Sequence, residues 1–257
     1  LSYGIGSEAD DLPGFVVLQS NGVLSGGSAL WGSGFLPSEH QGVPFRQGAD
    51  PILHVSNPKG IDRTAQRQTL DLLNKLNRNS LNRMGDPEIN ARIEAYEMAY
   101  RMQTEAQEAF DLDRETKATR EDYGNGQFSN ACLVARRLVE RGVRMVQVFY
   151  GGGQPWDDHG NIESGHRSKG QASDKPIAAL LRDLKSRGLL EDTLILWGGE
   201  FGRTPVSEGG SGRDHNNHGF SVWMAGGGVK GGMAYGATDE FGFAAQENKM
   251  HVHDLHA

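Results

Sequence analysis

Val143-Arg144-Met145-Val146-Gln147-Val148-Phe149-Tyr150 runs straight into Gly151-Gly152-Gly153. β-Branched and aromatic residues at strand length, closed by three glycines, predict a β-strand that ends in a tight loop. Downstream, Ile177, Leu180, Leu181 and Leu184 share one face of a helix predicted over about residues 173–187, with Gly188 as its C-cap. Residues 193–197 are then a short apolar run, which predicts a parallel strand covered on both faces. Strand, helix and strand form a β-α-β unit, so the predicted class is α/β with a mostly parallel sheet covered by helices. Loops that follow the strands of such a sheet gather on one edge, where a site belongs.

Upstream, residues 1–62 are rich in Gly, Pro and Ser, and only Phe15-Val16-Val17-Leu18 reads as a strand. The rest of that segment is expected to be ordered loop, and its His40 and His54 are not expected to reach a site. Leu70, Leu73, Leu76 and Leu81 recur near a helical period over residues 63–84, and Asp86-Pro87-Glu88 restarts the chain as an N-cap with proline at the first helical position. The helix that follows carries Ile89, Ile93, Tyr96, Met98, Tyr100 and Met102 as core packing. Asp113 is expected to cap a short third helix ending near Tyr123-Gly124, and Ser129 a fourth that runs to Gly142. The charge-rich segments 63–67 and 136–141 read as solvated helix faces. Past residue 219, Phe220-Ser221-Val222-Trp223-Met224 predicts another strand, turned by the glycines that follow it. Residues 1–257 are thus expected to form one α/β domain with an insertion-like helical region at about 63–125.

A net charge of −7 and a pI near 5.7 argue against a nucleic-acid partner, since such proteins concentrate Lys and Arg on one face. No stretch approaches the ~20 apolar residues of a membrane span. Cys132 is the single cysteine, so the chain has no internal disulfide and no thiolate cluster. Its apolar neighbours Ala131, Leu133 and Val134 mark it as a buried structural thiol.

Seven of the nine histidines lie after residue 158. Asp157 and His159 follow the first predicted strand of the β-α-β unit. Glu200 follows the second, on a Gly198-Gly199 turn, and Asp214, His215 and His218 precede the strand that begins at Phe220. Carboxylate oxygen and imidazole nitrogen brought together from separate loops suit a divalent metal, whereas the lack of cysteine ligands argues against a structural zinc clip. Surface histidines in ordinary hydrogen bonds are the alternative. If Asp157 and His159 are ligands, their i, i+2 spacing puts both on one side of an extended loop while Asp158 points away.

Several stretches in order carry a resemblance: Phe128-Ser129-Asn130, Trp156-Asp157-Asp158-His159, Gly199-Glu200-Phe201-Gly202-Arg203-Thr204-Pro205, Gly212-Arg213-Asp214-His215, the glycine-rich run 225–232, and His253-Asp254-Leu255-His256-Ala257. Together they resemble the domain of unknown function 1501 family, sulfatase-like proteins of the alkaline phosphatase superfamily. The resemblance implies a three-layer α/β fold seen in its C-terminal portion, with the chain cut at both ends. It further implies a metal-dependent hydrolase of sulfate or phosphate esters that uses Zn, Mn, Ca or Mg. Asp157 and His159, with His166 as a rival, resemble the first ligand set; Glu200 stands where the superfamily usually has Asp, Asp214 or His215 would fill in from the next loop, and His215 or His218 resembles the last histidine. Phe201 stands where the superfamily usually has a histidine, which removes one imidazole from a second metal position. Arg203 is expected to neutralise the anionic ester. The substrate implied is an anionic ester, such as a sulfated polysaccharide, and the location implied is periplasmic or secreted. The nucleophile is expected to lie upstream of the residues present, and Cys132 is not a candidate. A non-catalytic scaffold that binds sulfated or phosphorylated polysaccharide is the competing expectation.

Overall fold

Phe15–Gln19 (β1), the strand predicted from its apolar run, is the centre of a parallel sheet. Val43–Phe45 (β2) pairs on one side of it, with Val16 opposite Val43, and Met145–Phe149 (β3) pairs on the other, with Val17 opposite Gln147. The coordinates are a computed structural model that describes residues 1–22, 24–46, 57 and 59–255. They divide into two compact units, Leu1–Gly153 and Gln154–Ala257.

The first unit opens with a short helix, Ser2–Ile5 (α1), and then builds its core around β1. Val16 and Leu18 point to one face, among Phe45, Met102, Ala106, Ala131, Val134 and Leu138, while Val17 points to the other with Leu24 and Trp31. A strand buried on both faces needs apolar residues at each buried position, as β1 has at Val16, Val17 and Leu18. Arg63–Met84 (α2) and Pro87–Phe110 (α3) follow, capped by the Asp62 and Asp86 side chains, which accept from the backbone N–H of Ala65 and Glu88. Lys117–Tyr123 (α4) is capped by Thr116, whose hydroxyl accepts from Thr119, and not by the predicted Asp113. Asp113 sits instead in a 3-10 turn capped by Asp111. Gln127–Val139 (α5) starts ahead of Ser129 and packs on β1 and β3.

α5 also corrects the reading of its charges. Arg136 and Arg137 are buried, not solvated. Glu115 lies between them: Arg136 Nη2 is 2.7 Å from its carboxylate and Arg137 Nη1 donates to it. Arg137 also donates to the carbonyls of Ala109 and Glu108 at 2.8 and 2.7 Å, and Arg136 to Glu140 at 2.7 Å. A buried guanidinium is tolerated only when its donors are met in this way. Cys132 is buried on the same helix, and burial pushes its thiol up to about 12.

In the second unit Ile162–Ser186 (α6) begins well before the predicted start near residue 173. Its first half is polar and contains Gly165 and Gly170, and the buried Pro176 lies inside it, so the periodic signal emerges only in the second half. Ile195–Trp197 (β4) pairs with Trp223–Ala225 (β7) antiparallel, with Trp197 opposite Trp223. This differs from the expected parallel strand, and Leu196 and Trp197 are 45% and 48% exposed. A short apolar run carries no information about the direction of its partner. Here Gly226 and Gly227, both at positive φ, let the backbone after β7 lie flush on residues 190–194, where a side chain would clash. Gly202–Arg203 (β5) pairs antiparallel with His215–Asn216 (β6), and Ala237–Thr238 (β8) with Ala245–Glu247 (β9). The class is thus mixed α/β with a three-stranded parallel sheet. Among the described residues no helix is long and apolar enough to cross a membrane.

The buried ion cluster makes a prediction. Burial by itself raises the Glu115 carboxyl, but hydrogen bonds and charge from Arg136 and Arg137 outweigh it and hold the group below its ordinary value. A carboxylate with a folded-state pKa below its unfolded one, ~4.3 for Glu, stabilises the fold above that pH and loses the contribution as pH falls through the folded value. Glu115→Ala should destabilise the first unit by about 3 kcal/mol at neutral pH, because it strands two buried cations. Glu115→Gln should flatten the acid loss of stability, both effects being measured by urea unfolding over a pH series.

Candidate metal centre

The Arg203↔His215 register of β5 and β6 sets these two residues side by side. The ladder continues past the strands, with Thr204 N–H donating to Asp214 C=O at 2.9 Å and Asp214 N–H donating to the Thr204 hydroxyl at 3.0 Å. Behind β6, Asn216 donates to the Phe243 carbonyl at 2.7 Å and Ala245 N–H to the His218 carbonyl at 2.9 Å, so the β8–β9 hairpin braces the strand that carries His215.

A second segment, residues 157–162, is stitched to residues 211–213. Arg213 N–H donates to Asp158 C=O and Ile162 N–H to Ser211 C=O, both at 3.1 Å, while Asn161 N–H donates to the Ser211 hydroxyl at 2.9 Å. Gly212 permits this approach, because a Cβ there would fall on the backbone of His159 and Gly160. At the start of the segment the Trp156 ring meets Trp197 and His166 edge-on, with centroids 6.2 and 5.4 Å apart.

These two segments bring Asp157, His159 and His215 together. Asp157 Oδ1 stands 3.0 Å from His159 Nε2 and 3.0 Å from His215 Nε2, and the two imidazole nitrogens are 3.2 Å apart. Two donors each ~2.1 Å from a shared cation stand about 3.0 Å apart at a right angle and about 3.4 Å at a tetrahedral one, so the triangle has the size that one first-row divalent ion requires. Two nitrogens and one oxygen suit Zn²⁺, Mn²⁺ or Fe²⁺ better than Ca²⁺ or Mg²⁺, which favour all-oxygen shells.

Surrounding contacts sharpen the chemistry. His159 Nδ1 is 3.3 Å from Asp214 Oδ1, and Asp214 Oδ2 accepts from the Glu208 backbone N–H at 2.9 Å. His159 therefore has a carboxylate at each ring nitrogen. A neutral imidazole has one N–H, so one of these contacts needs a cation: a proton, or a metal at Nε2. Arg203 donates to Asp157 Oδ1, and its guanidinium lies 5.6 Å from the centroid of the Phe201 ring. Burial by itself would raise the Asp157 carboxyl; the Arg203 and His215 hydrogen bonds, with the charges of Arg203 and His159, hold it below its ordinary value. Asp214 is lowered chiefly by the Glu208 N–H, against its burial, with help from His159.

The predicted site residues separate accordingly. Asp157, His159 and His215 converge, with Asp214 and Arg203 touching them from outside the triangle. Glu200 is exposed and makes no hydrogen bond or ion pair with any described residue, and His218 contributes only backbone contacts near the centre. Asp158 points away, as its spacing implied, to Lys169 and to His166 Nε2 at 3.4 Å. His251 and His253 pack on one another, and His40 meets Glu39 and Tyr3. His54 and His256 lie outside the described residues. Sequence reasoning missed the Arg203–Asp157 and Asp158–Lys169 pairs, and nothing in their spacing of 46 and 11 residues announces them.

The family described as protein of unknown function (DUF1501) matches the chain over residues 1–257. No curated protein and no solved structure matches it.

Metal titration of single variants checks the geometry. His159→Ala and His215→Ala should each abolish tight binding of Zn²⁺ or Mn²⁺. Asp214→Asn should weaken it by about 10–100-fold, the usual cost of losing a carboxylate behind a ligating histidine. Asp158→Ala should leave affinity unchanged while lowering the melting temperature, because it frees Lys169.

Proposed function

The chain belongs to this family, whose description leaves the activity open, and we propose that Asp157, His159 and His215 are the metal ligands of a hydrolase of sulfate or phosphate esters. The observation that carries the reading is His159 between two carboxylates, with Asp157 Oδ1 3.0 Å from both His159 Nε2 and His215 Nε2. A bound divalent ion would polarise the ester oxygen and favour an attacking oxyanion. Asp214 holds the proton of His159 on Nδ1, which directs the Nε2 lone pair into the triangle. Arg203 spends one N–H on Asp157 and keeps the rest of its guanidinium fork, which matches a tetrahedral oxyanion bidentately. His159 and His215 are about half exposed, so the centre is open to a bulky substrate such as a sulfated polysaccharide.

In this reading the chain is a sulfatase-like member of the alkaline phosphatase superfamily, secreted or periplasmic. A second reading has one observation in its favour. Glu200 stays outside the centre and Phe201 offers no ligand, so a second metal has no ligand set among the described residues. A scaffold that binds sulfated or phosphorylated polysaccharide without turning it over would need no more than this.

Full-length protein loaded with Zn²⁺ or Mn²⁺ should bind one equivalent per chain and turn over aryl sulfates or aryl phosphates. Turnover should fall on acidification, since protons compete with metal for His159 and His215. Arg203→Lys, which keeps the charge and loses the fork, should raise KM. Metal uptake with no turnover across both ester panels selects the scaffold, and no uptake rejects the metal centre.

A further inference from the structure

Phe201 lies beside the proposed ligands, and its ring contacts two residues of the centre. Its ring lies against the His215 imidazole, with centroids 4.6 Å apart and planes tilted by 46°. The Arg203 guanidinium carbon is 5.6 Å from the same ring centroid. Arg203 in turn donates to Asp157 Oδ1, and Asp157 Oδ1 faces His215 Nε2 at 3.0 Å. Phe201, Arg203, Asp157 and His215 thus form a closed circuit of contacts, two of which end on the aromatic ring.

The two ligand imidazoles are held by different means. His159 has Asp214 behind its Nδ1. His215 instead meets Asp157 and His159 through Nε2 and packs on the rings of His159 and Phe201. A π face carries a negative quadrupole, so it attracts a guanidinium and also an imidazole whose electron density a bound cation has withdrawn. The contact to His215 therefore strengthens when metal arrives, which a purely space-filling side chain cannot do.

We infer that Phe201 is a positioning residue of the metal centre: its aromatic face orients His215 and Arg203 together and stabilises the metal-bound form. The inference rests on the metal-centre reading above. Its test measures Zn²⁺ affinity, by competition with a chromophoric chelator, for the parent chain and for Phe201→Ala, Phe201→Leu and Phe201→Tyr. Phe201→Ala and Phe201→Leu should both bind more weakly, the former by about 10–100-fold. Phe201→Tyr, which keeps the ring, should bind as the parent does, and the metal-free proteins should melt together. If Phe201→Ala fails to fold, the Leu and Tyr variants decide. Parental affinity in Phe201→Ala, or in Phe201→Leu, overturns the inference and leaves the metal centre standing. A parent chain that takes up no Zn²⁺ overturns both.

Discussion

Three nitrogen groups crowd one oxygen of Asp157: the Arg203 guanidinium, His159 Nε2 and His215 Nε2. Asp214 faces His159 from the other side, so two carboxylates and two imidazoles share a space only a few ångströms across. Arg203 supplies one positive charge to balance them. With His159 neutral, one of its two ring nitrogens presents a lone pair to a carboxylate, either at Asp157 or at Asp214. A cation at the centre would balance these groups, which the backbone holds in place through the β5–β6 ladder, the hairpin behind it, and the segment pinned through Gly212.

Neither of the short strands at the centre could form from propensity alone. Gly202–Arg203 and His215–Asn216 contain no β-branched residue, and their pairing depends on hydrogen bonds from Thr204, Asp214, Asn216 and Ala245. The first unit works differently. There β1 is apolar at every buried position, and α5 brings its own charges into the core only because Glu115 meets them. One unit is held chiefly by burial, the other by directed polar contacts at the centre, which is what a binding loop on short strands requires.

How much of this was legible in the sequence follows from the same contrast. β1, β3, α2 and the Asp86-Pro87 helix start were readable because period and caps are local signals. So was the side-by-side placement of Asp157 and His159, which needs only an extended loop. Partner direction for β4, the depth of Arg136 and Arg137, and the polar first half of α6 are set by residues distant in sequence. The division of acids between triangle and periphery was illegible for the same reason: Asp214 and His215 are adjacent, yet β6 turns one imidazole inward and leaves the carboxylate behind His159. Phe201 was visible as a departure from a pattern, but its two partners were not.

The central claim is that two imidazoles and one carboxylate bind a single divalent ion. X-ray absorption at the Zn edge of the loaded protein tests it most directly. The account predicts a first shell of nitrogen and oxygen with the outer-shell scattering of two imidazoles, reduced to one in His215→Ala. A first shell without imidazole scattering, or one unchanged by His215→Ala, would contradict it.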